Sequence, residues 1–100
     1  MKISKTQVDN CMTIVLEGRL DTTTAPELDQ ELKSSLLYIS ELIFDFSALE
    51  YISSAGLRVL LSAQKTMTNN QGVMKIRHVN EMVMEVFEVT GFADMLTIEK

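Results

Sequence analysis

The stretch that decides the fold is ELIFDFSALEYISSAGLRVLLSAQKTM, residues Glu41–Met67. It begins with a short apolar run, Leu42–Phe46, whose β-branched and aromatic side chains are typical of a buried strand. Its second half places four apolar residues at the spacing of a helical stripe: Leu57, Leu60, Leu61 and Met67. Between the two lies Tyr51–Gly56, where small residues allow a turn and two serines stand at the expected helix start. The stretch therefore predicts a strand followed by a serine-capped helix, a common place for α/β domains to present a polar group.

Upstream of this stretch the sequence predicts a hairpin. Ile3–Gln7 and Cys11–Glu17 have the composition of strands, and Asp9-Asn10 between them is a turn-prone pair. The second strand places Met12, Ile14 and Leu16 on one face. Gly18–Asp21 is then expected to leave the sheet.

A helix over Ala25–Leu37 is predicted next, because leucines 28, 32 and 36 recur at helical spacing. Thr24 and Glu27 have the spacing of a capping box, in which each side chain accepts the backbone amide hydrogen of the other residue. Pro26 falls in that turn, where a missing amide donor costs nothing.

Downstream, Val73–Val79 alternates like a strand, and His78 is expected to pack on the sheet with Met74 and Ile76. Asn80 is placed to cap a further helix that ends at Gly91, and its apolar residues are Met82, Val83, Val86 and Phe87. Residues 95–98 are expected to form a short last strand.

The predicted order is therefore β-β-α-β-α-β-α-β. It favours an α/β fold in which a mixed, mostly parallel β-sheet is opened by an antiparallel hairpin and has helices packed on it. We expect a single domain over residues 1–100.

Composition limits the possible partners. The net charge is −5, which argues against nucleic acid and anionic membrane, because both select a basic face. A protein with a basic surface is the better electrostatic match. No apolar run approaches the roughly 20 residues of a membrane span. The single cysteine, Cys11, cannot form an internal disulfide, and a reducing, cytoplasmic compartment is expected.

Enzyme chemistry has one candidate, a serine hydrolase. Ser54 would be the nucleophile and His78 the base, with Asp45 or Asp21 as the orienting carboxylate. The serine is not in the G-x-S-x-G elbow of such enzymes, and the chain has one histidine. No metal and no cofactor is expected, because one Cys and one His offer no ligand cluster and the four glycines are isolated.

Three residues leave alternatives open. Ser53 and Ser54 are interpreted either as helix caps or as a site of modification or recognition, since a phosphoryl dianion is tolerated at a helix N-terminus. Asp21 either hydrogen-bonds its own turn or forms part of a docking surface beside Ser54.

Three segments together resemble the STAS-domain anti-sigma factor antagonists of bacteria. They are Gly18–Ala25 (GRLDTTTA), Leu42–Phe46 and Tyr51–Leu60 (YISSAGLRVL). The resemblance extends to Val86–Phe92, which is similar to the last helix and turn of that family. It covers nearly the whole chain.

The resemblance implies a partner switch and no enzymatic activity. An unphosphorylated antagonist binds an anti-sigma factor that is also a serine kinase, which releases a sigma factor; phosphorylation breaks the complex and a PP2C-type phosphatase restores it. Ser54 matches the phosphoacceptor. Ser53 stands where the family often has aspartate, and it is the alternative acceptor. The implied partner-binding residues are Asp21, Thr22, Thr23, Ser53, Ser54, Ala55, Gly56 and Arg58. The alternative function is a STAS interaction module that is not phosphorylated.

Overall fold

The structure is a computed structural model that describes residues 1–99. Its elements are β1 (Lys2–Val8), β2 (Cys11–Leu20), α1 (Ala25–Ser35), β3 (Glu41–Ile52), α2 (Ser54–Asn69), β4 (Val73–Arg77), α3 (Glu81–Thr90), a 3₁₀ turn (Phe92–Asp94) and β5 (Ile98–Glu99). The predicted order of strands and helices is confirmed, with a 3₁₀ turn added before the last strand. That strand was expected over residues 95–98 but is Ile98–Glu99, because Met95 closes the 3₁₀ turn by donating its amide hydrogen to the Phe92 carbonyl. No helix within residues 1–99 has the length and apolar character needed to cross a membrane.

The five strands form one sheet in the order β1-β2-β3-β4-β5. β1 and β2 are antiparallel and the remaining neighbours are parallel, as the sequence predicted. The hairpin turns at Asp9, whose φ of 54° is a left-handed conformation that aspartate tolerates.

All three helices pack on one face of the sheet. Alternate residues of the central strands point to that face and are buried there: Met12, Ile14, Leu16, Leu42, Phe44, Phe46, Met74 and Ile76. Leucines 28, 57 and 60 and Phe87 cover them from the helices. The opposite face is largely polar, and on it the Nζ atom of Lys75 lies 3.3 Å from a carboxylate oxygen of Glu41.

β1 is one residue longer at each end than predicted, and two strands run well past their predicted C-terminal ends. β2 was expected to end at Glu17, but it continues to Leu20, and β3 continues beyond Phe46 to Ile52. The two strands pair with each other along this extension, with register shifts on either side of Gly18. Gly18 has a φ of 100°, which a side chain disfavours, so the glycine allows the irregularity instead of ending the strand.

The expectation that His78 packs on the sheet is wrong. β4 ends at Arg77, and His78 adopts a φ of 61° that turns its side chain out of the strand, where it is 62% exposed. Its Nδ1 atom lies 3.1 Å from a carboxylate oxygen of Asp45. A left-handed histidine is uncommon, and no feature of the strand pattern predicts it.

The predicted capping box at α1 is also wrong. Thr24 is the N-cap, but its side chain makes no cap hydrogen bond, because its hydroxyl is engaged by the preceding loop. The helix ends at Ser35, two residues earlier than predicted, and Leu36 is its C-cap.

The predicted ends of α3 are confirmed. Asn80 accepts the amide hydrogen of Val83 on its side-chain oxygen at 2.8 Å, and Gly91 closes the helix with a φ of 82°. The side-chain amide of Asn80 also donates to the main-chain carbonyl of Leu49 in β3 at 2.8 Å. One side chain therefore fixes both the helix start and its position against the sheet.

Candidate functional site

Two parallel strands end side by side and bring the predicted site residues to one edge of the sheet. Leu20, the last residue of β2, pairs with Ile52, the last residue of β3. Asp21 and Ser53 directly follow these two residues, and the Ser53 amide donates to the Leu20 carbonyl at 2.9 Å. Two predicted segments far apart in sequence are therefore neighbours in the fold.

The carboxylate of Asp21 organises the loop between β2 and α1. One of its oxygens accepts the amide hydrogens of Thr23 at 3.0 Å and Thr24 at 3.1 Å. The Thr24 hydroxyl accepts the Asp21 amide hydrogen at 2.9 Å and donates to the Arg19 carbonyl at 2.8 Å. These backbone donors, that of Thr24 first, lower the pKa of Asp21 below its usual value. Asp21 therefore bonds its own turn, while Thr22 and Thr23 remain exposed.

The two serines at the start of α2 differ in their surroundings. Ser53 is the N-cap and half-buried, and its hydroxyl oxygen faces the Gly56 amide at 3.5 Å, a long cap bond. Ser54 is the first helical residue and is exposed, and within residues 1–99 its hydroxyl has no hydrogen-bond partner. The cap role therefore falls to Ser53, and the hydroxyl of Ser54 is free.

Two further predicted site residues follow on α2. Arg58 is exposed and stands four residues after Ser54, so the two side chains lie on the same side of the helix. The guanidinium of Arg58 forms no salt bridge with the side chains of residues 1–99. Ala55 is half-buried and packs against the core.

Gly56 is buried at the point where α2 meets the strand ends. A β-carbon there would lie 2.9 Å from a side-chain carbon of Ile52 and 3.0 Å from the carbonyl oxygen of Leu20. A helix can approach the strand ends this closely only without a side chain at this position. We therefore expect Gly56 to act on the site through the position of α2.

A cation–aromatic pair beside the site is not apparent from the sequence pattern. The guanidinium carbon of Arg19 lies 4.3 Å from the ring centroid of Tyr51, in the range of a cation–π contact. Its Nε atom lies 3.8 Å from a carboxylate oxygen of Asp21. Arg19 and Tyr51 are partners in the extended part of the β2–β3 ladder, so the pair could be foreseen only from a register that the sequence does not specify.

The triad of a serine hydrolase is not assembled. Asp45 and His78 do form a pair, and although partial burial raises the pKa of Asp45, hydrogen bonds from the Ser47 amide and His78 lower it on balance. Ser54, however, follows the far end of β3. Seven strand residues at about 3.3 Å each place Asp45 roughly 20 Å from that end. Ser54 is therefore too far from the Asp45–His78 pair to act as its nucleophile.

A metal centre has no support in the described part of the chain. Within residues 1–99, no three His, Cys, Asp or Glu side chains lie close enough together to hold an ion. The surface around Ser54 instead offers exposed hydroxyls, one carboxylate and two guanidinium groups. Such a surface suits recognition by another protein.

These features define an α/β domain with its helices on one face of the sheet, which presents a capped helix and a loop organised by one aspartate at one edge of the sheet. Comparison with protein families matches the STAS domain over residues 2–100. The chain belongs to the STAS domain family.

Its relatives are bacterial anti-sigma factor antagonists, a regulatory class. The chain is 31% identical over 99 residues to BtrV of Bordetella bronchiseptica, which carries a provisional assignment as an anti-sigma factor antagonist; the match covers 98% of this chain and 85% of BtrV. It is 25% identical over 92 residues to the anti-sigma-B factor antagonist of Bacillus subtilis, with 92% and 84% coverage.

Solved structures share the fold. The unphosphorylated form of the anti-sigma factor antagonist SpoIIAA superposes with a TM-score of 0.78 at 15% identity, covering 99% of this chain and 88% of SpoIIAA. A protein of Thermotoga maritima gives a TM-score of 0.86 at 18% identity, with 98% and 86% coverage. SpoIIAA from Bacillus is also known in a phosphorylated form, with a TM-score of 0.77 at 16% identity and coverage of 99% and 92%.

Proposed function

We propose that this chain is an anti-sigma factor antagonist controlled by phosphorylation of Ser54. In its unphosphorylated form it binds an anti-sigma factor that is also a serine kinase, and a sigma factor is thereby released. A PP2C-type phosphatase reverses the modification, and the cycle takes place in the cytoplasm. The residues proposed to contact the kinase are those of the edge formed by the β2–α1 loop and the start of α2.

The free hydroxyl of Ser54 carries this proposal. It is exposed and has no partner within residues 1–99, so a kinase meets no internal bond that must be broken first. The neighbouring Ser53 is half-buried and its oxygen faces the Gly56 amide. Among the two candidate acceptors, the environment therefore favours Ser54.

The expected effect of phosphorylation is on the surface and not on the fold. A phosphoryl group adds close to two negative charges, and the N-terminus of α2 favours them by about 0.3–1 kcal/mol. Arg58, one turn further on, is placed to approach the same charge. The dianion thus leaves the domain folded, while a partner that docks there must desolvate or repel it.

The names of the relatives support the class of partner. BtrV and the Bacillus subtilis protein are both named as antagonists of anti-sigma factors, and the present chain spans more than four-fifths of each.

Mass spectrometry of the protein isolated from its own cells, with phosphatases inhibited, tests the acceptor. We expect one phosphoryl group on the peptide that contains Ser54, and its loss in Ser54→Ala but not in Ser53→Ala. Phosphate that persists in Ser54→Ala would move the acceptor to Ser53. No phosphate under any growth condition would leave the constitutive interaction module as the function.

A charge mimic tests the switch itself. Ser54→Asp is expected to keep its fold and to lose affinity for the anti-sigma factor kinase of the same cell. Gln30→Glu adds the same single charge to an exposed position of α1 and serves as the matched control. Undiminished affinity of Ser54→Asp, or an equal loss in both variants, would contradict a switch at this residue.

A further inference from the structure

A groove runs along α3 on a side of the molecule that includes none of the residues discussed above as partner-binding. It consists of two adjoining cavities of about 370 Å³ and 510 Å³, and both are lined by Met84 and Glu88. Met84 and Glu88 stand one helical turn apart, so one side of α3 forms the wall that the two cavities share. We call this the α3 groove.

The floor of the α3 groove is apolar. It is formed by Val79, Met84, Ala93 and Ile98. All four are partly buried and pack against the core from outside, so they are held in place while one side of each remains accessible. A row of partly exposed apolar side chains on a fixed base is the usual floor of a peptide-binding groove.

The rim of the α3 groove is acidic. Its carboxylates are Glu81, Glu88, Asp94 and Glu99. Glu99 is paired with Arg77 and Lys75, which lowers its pKa, whereas the other three form no salt bridge with the side chains of residues 1–99. Within the part of the chain that the structure describes, three charges on the rim therefore have no ion-pair partner.

The negative charge of the chain is concentrated in this segment. Residues 78–99 contain five carboxylates and no lysine or arginine, which gives them a charge of −5, equal to that of the whole chain. The one imidazole at the groove, His78, is turned toward Asp45. A cation that enters the groove therefore meets no competing basic side chain of the segment itself.

We propose that the α3 groove binds a basic amphipathic segment of a second protein partner. Apolar side chains of that segment would cover Met84 and Ile98, and its lysines or arginines would meet Glu81, Glu88 and Asp94. A second copy of this chain is a poor occupant, because face-to-face pairing would set two acidic rims against each other. This inference does not depend on Ser54, because the groove and the proposed switch surface share no residue.

A synthetic peptide of leucine and lysine in a helical amphipathic pattern is the probe. Titrated into the isotope-labelled full chain, it is expected to shift the amide resonances of residues around Met84, Glu88 and Ile98, with an affinity that falls as salt is added. A counterpart in which glutamate replaces lysine is expected not to bind. Shifts confined to the start of α2, or no binding of the lysine peptide, would overturn the proposal.

Two variants and one matched control distinguish binding at the α3 groove from non-specific attraction to the negatively charged chain. Glu88→Lys reverses a rim charge and is expected to weaken binding about tenfold, since it exchanges an attraction for a repulsion of similar size. Met84→Gln removes an apolar contact without changing charge and is expected to weaken binding severalfold. Glu27→Lys makes the same charge reversal on an exposed position of α1 and is expected to leave binding within about twofold.

Three results would overturn the assignment. Equal weakening by Glu27→Lys and Glu88→Lys would show attraction to net charge alone. Unchanged binding by Met84→Gln would show that the apolar floor does not contribute to peptide binding. Sedimentation that reveals a dimer of the chain, dispersed by Glu88→Lys, would assign the groove to a second copy. Ser54→Asp is expected to bind the peptide as the unaltered chain does.

Discussion

Gly56 lies so close to Leu20 that a β-carbon at position 56 would stand 2.7 Å from the Cγ atom of Leu20. Leu20 is fully buried at the end of β2, so its branched side chain cannot move away without displacing other core residues. The contact sets the distance between α2 and the strand ends. It therefore also sets where Ser54 stands relative to the Asp21 loop.

Gly56→Ala is expected to destabilise the domain by about 1–2 kcal/mol. Overpacking of a core contact costs about 1–3 kcal/mol, and the better helix propensity of alanine returns up to about 1 kcal/mol. Urea unfolding followed by circular dichroism measures the difference. Ser54→Ala, an exposed change in the same helical turn, is the control and should stay within about 0.5 kcal/mol. A neutral or stabilising Gly56→Ala would mean that α2 can shift freely.

Replacing Ser53 and replacing Ser54 should have different effects on thermal stability. Ser53→Ala removes the N-cap and is expected to cost about 0.5–1 kcal/mol, the lower part of the usual range because the cap bond is long. Ser54→Ala removes no internal bond and should leave Tm nearly unchanged. Ser53→Asp supplies another cap acceptor and should restore the loss. A larger loss of stability in Ser54→Ala than in Ser53→Ala would show that Ser54, and not Ser53, caps the helix.

Asn80 is expected to show two separable contributions to stability. Asn80→Ser keeps a cap acceptor but is too short to reach Leu49, and leaving that carbonyl without its donor costs about 1 kcal/mol. Asn80→Ala removes the cap as well and should cost about 2 kcal/mol. Chemical denaturation of the two variants compares them directly. If both variants lost the same free energy of unfolding, the N-cap hydrogen bond would contribute nothing to stability.

Asp21 predicts a dependence of stability on pH. Its pKa is lowered in the folded state, so its ionised form contributes stability above the unfolded pKa of about 3.9, and this contribution is lost as pH falls through the lower folded value. The difference in unfolding free energy between the unaltered chain and Asp21→Asn should therefore be constant near neutral pH and shrink in acid. If this difference did not change with pH, the stabilisation by Asp21 would come from its hydrogen bonds and not from its ionisation.

The sequence was a good guide where one periodicity or one residue dominates the local energy. The alternation of Met12, Ile14 and Leu16 predicted the buried face of β2, and Asn80 and Gly91 predicted the ends of α3. These features depend on neighbours in sequence, which a pattern records directly.

The sequence was a poor guide where the local structure depends on a residue distant in sequence or on a competing hydrogen-bond partner. Thr24 has the spacing of a capping box, but the Asp21 amide takes its hydroxyl first. The extension of β2 and β3 depends on their pairing with each other, and the contact of Arg19 with Tyr51 depends on the register of that pairing. The α3 groove joins α3 to β5 and the 3₁₀ turn, and no single stretch of sequence describes it.

β3 has twelve residues, and β4 pairs only with its first part, Glu41–Asp45. The remaining length of β3 extends past β4, and within residues 1–99 its strand neighbour there is β2 alone. β1 stops short of the same end of β2, so Leu49–Ile52 and Gly18–Leu20 form a two-stranded ribbon, and Asn80 joins this ribbon to the start of α3 through the Leu49 carbonyl. Two-stranded ribbons twist more strongly than broad sheets. The end of this ribbon carries Asp21 and Ser53, so the candidate site lies beyond the point where β4 and β5 stop, and those two strands reach it only through β3.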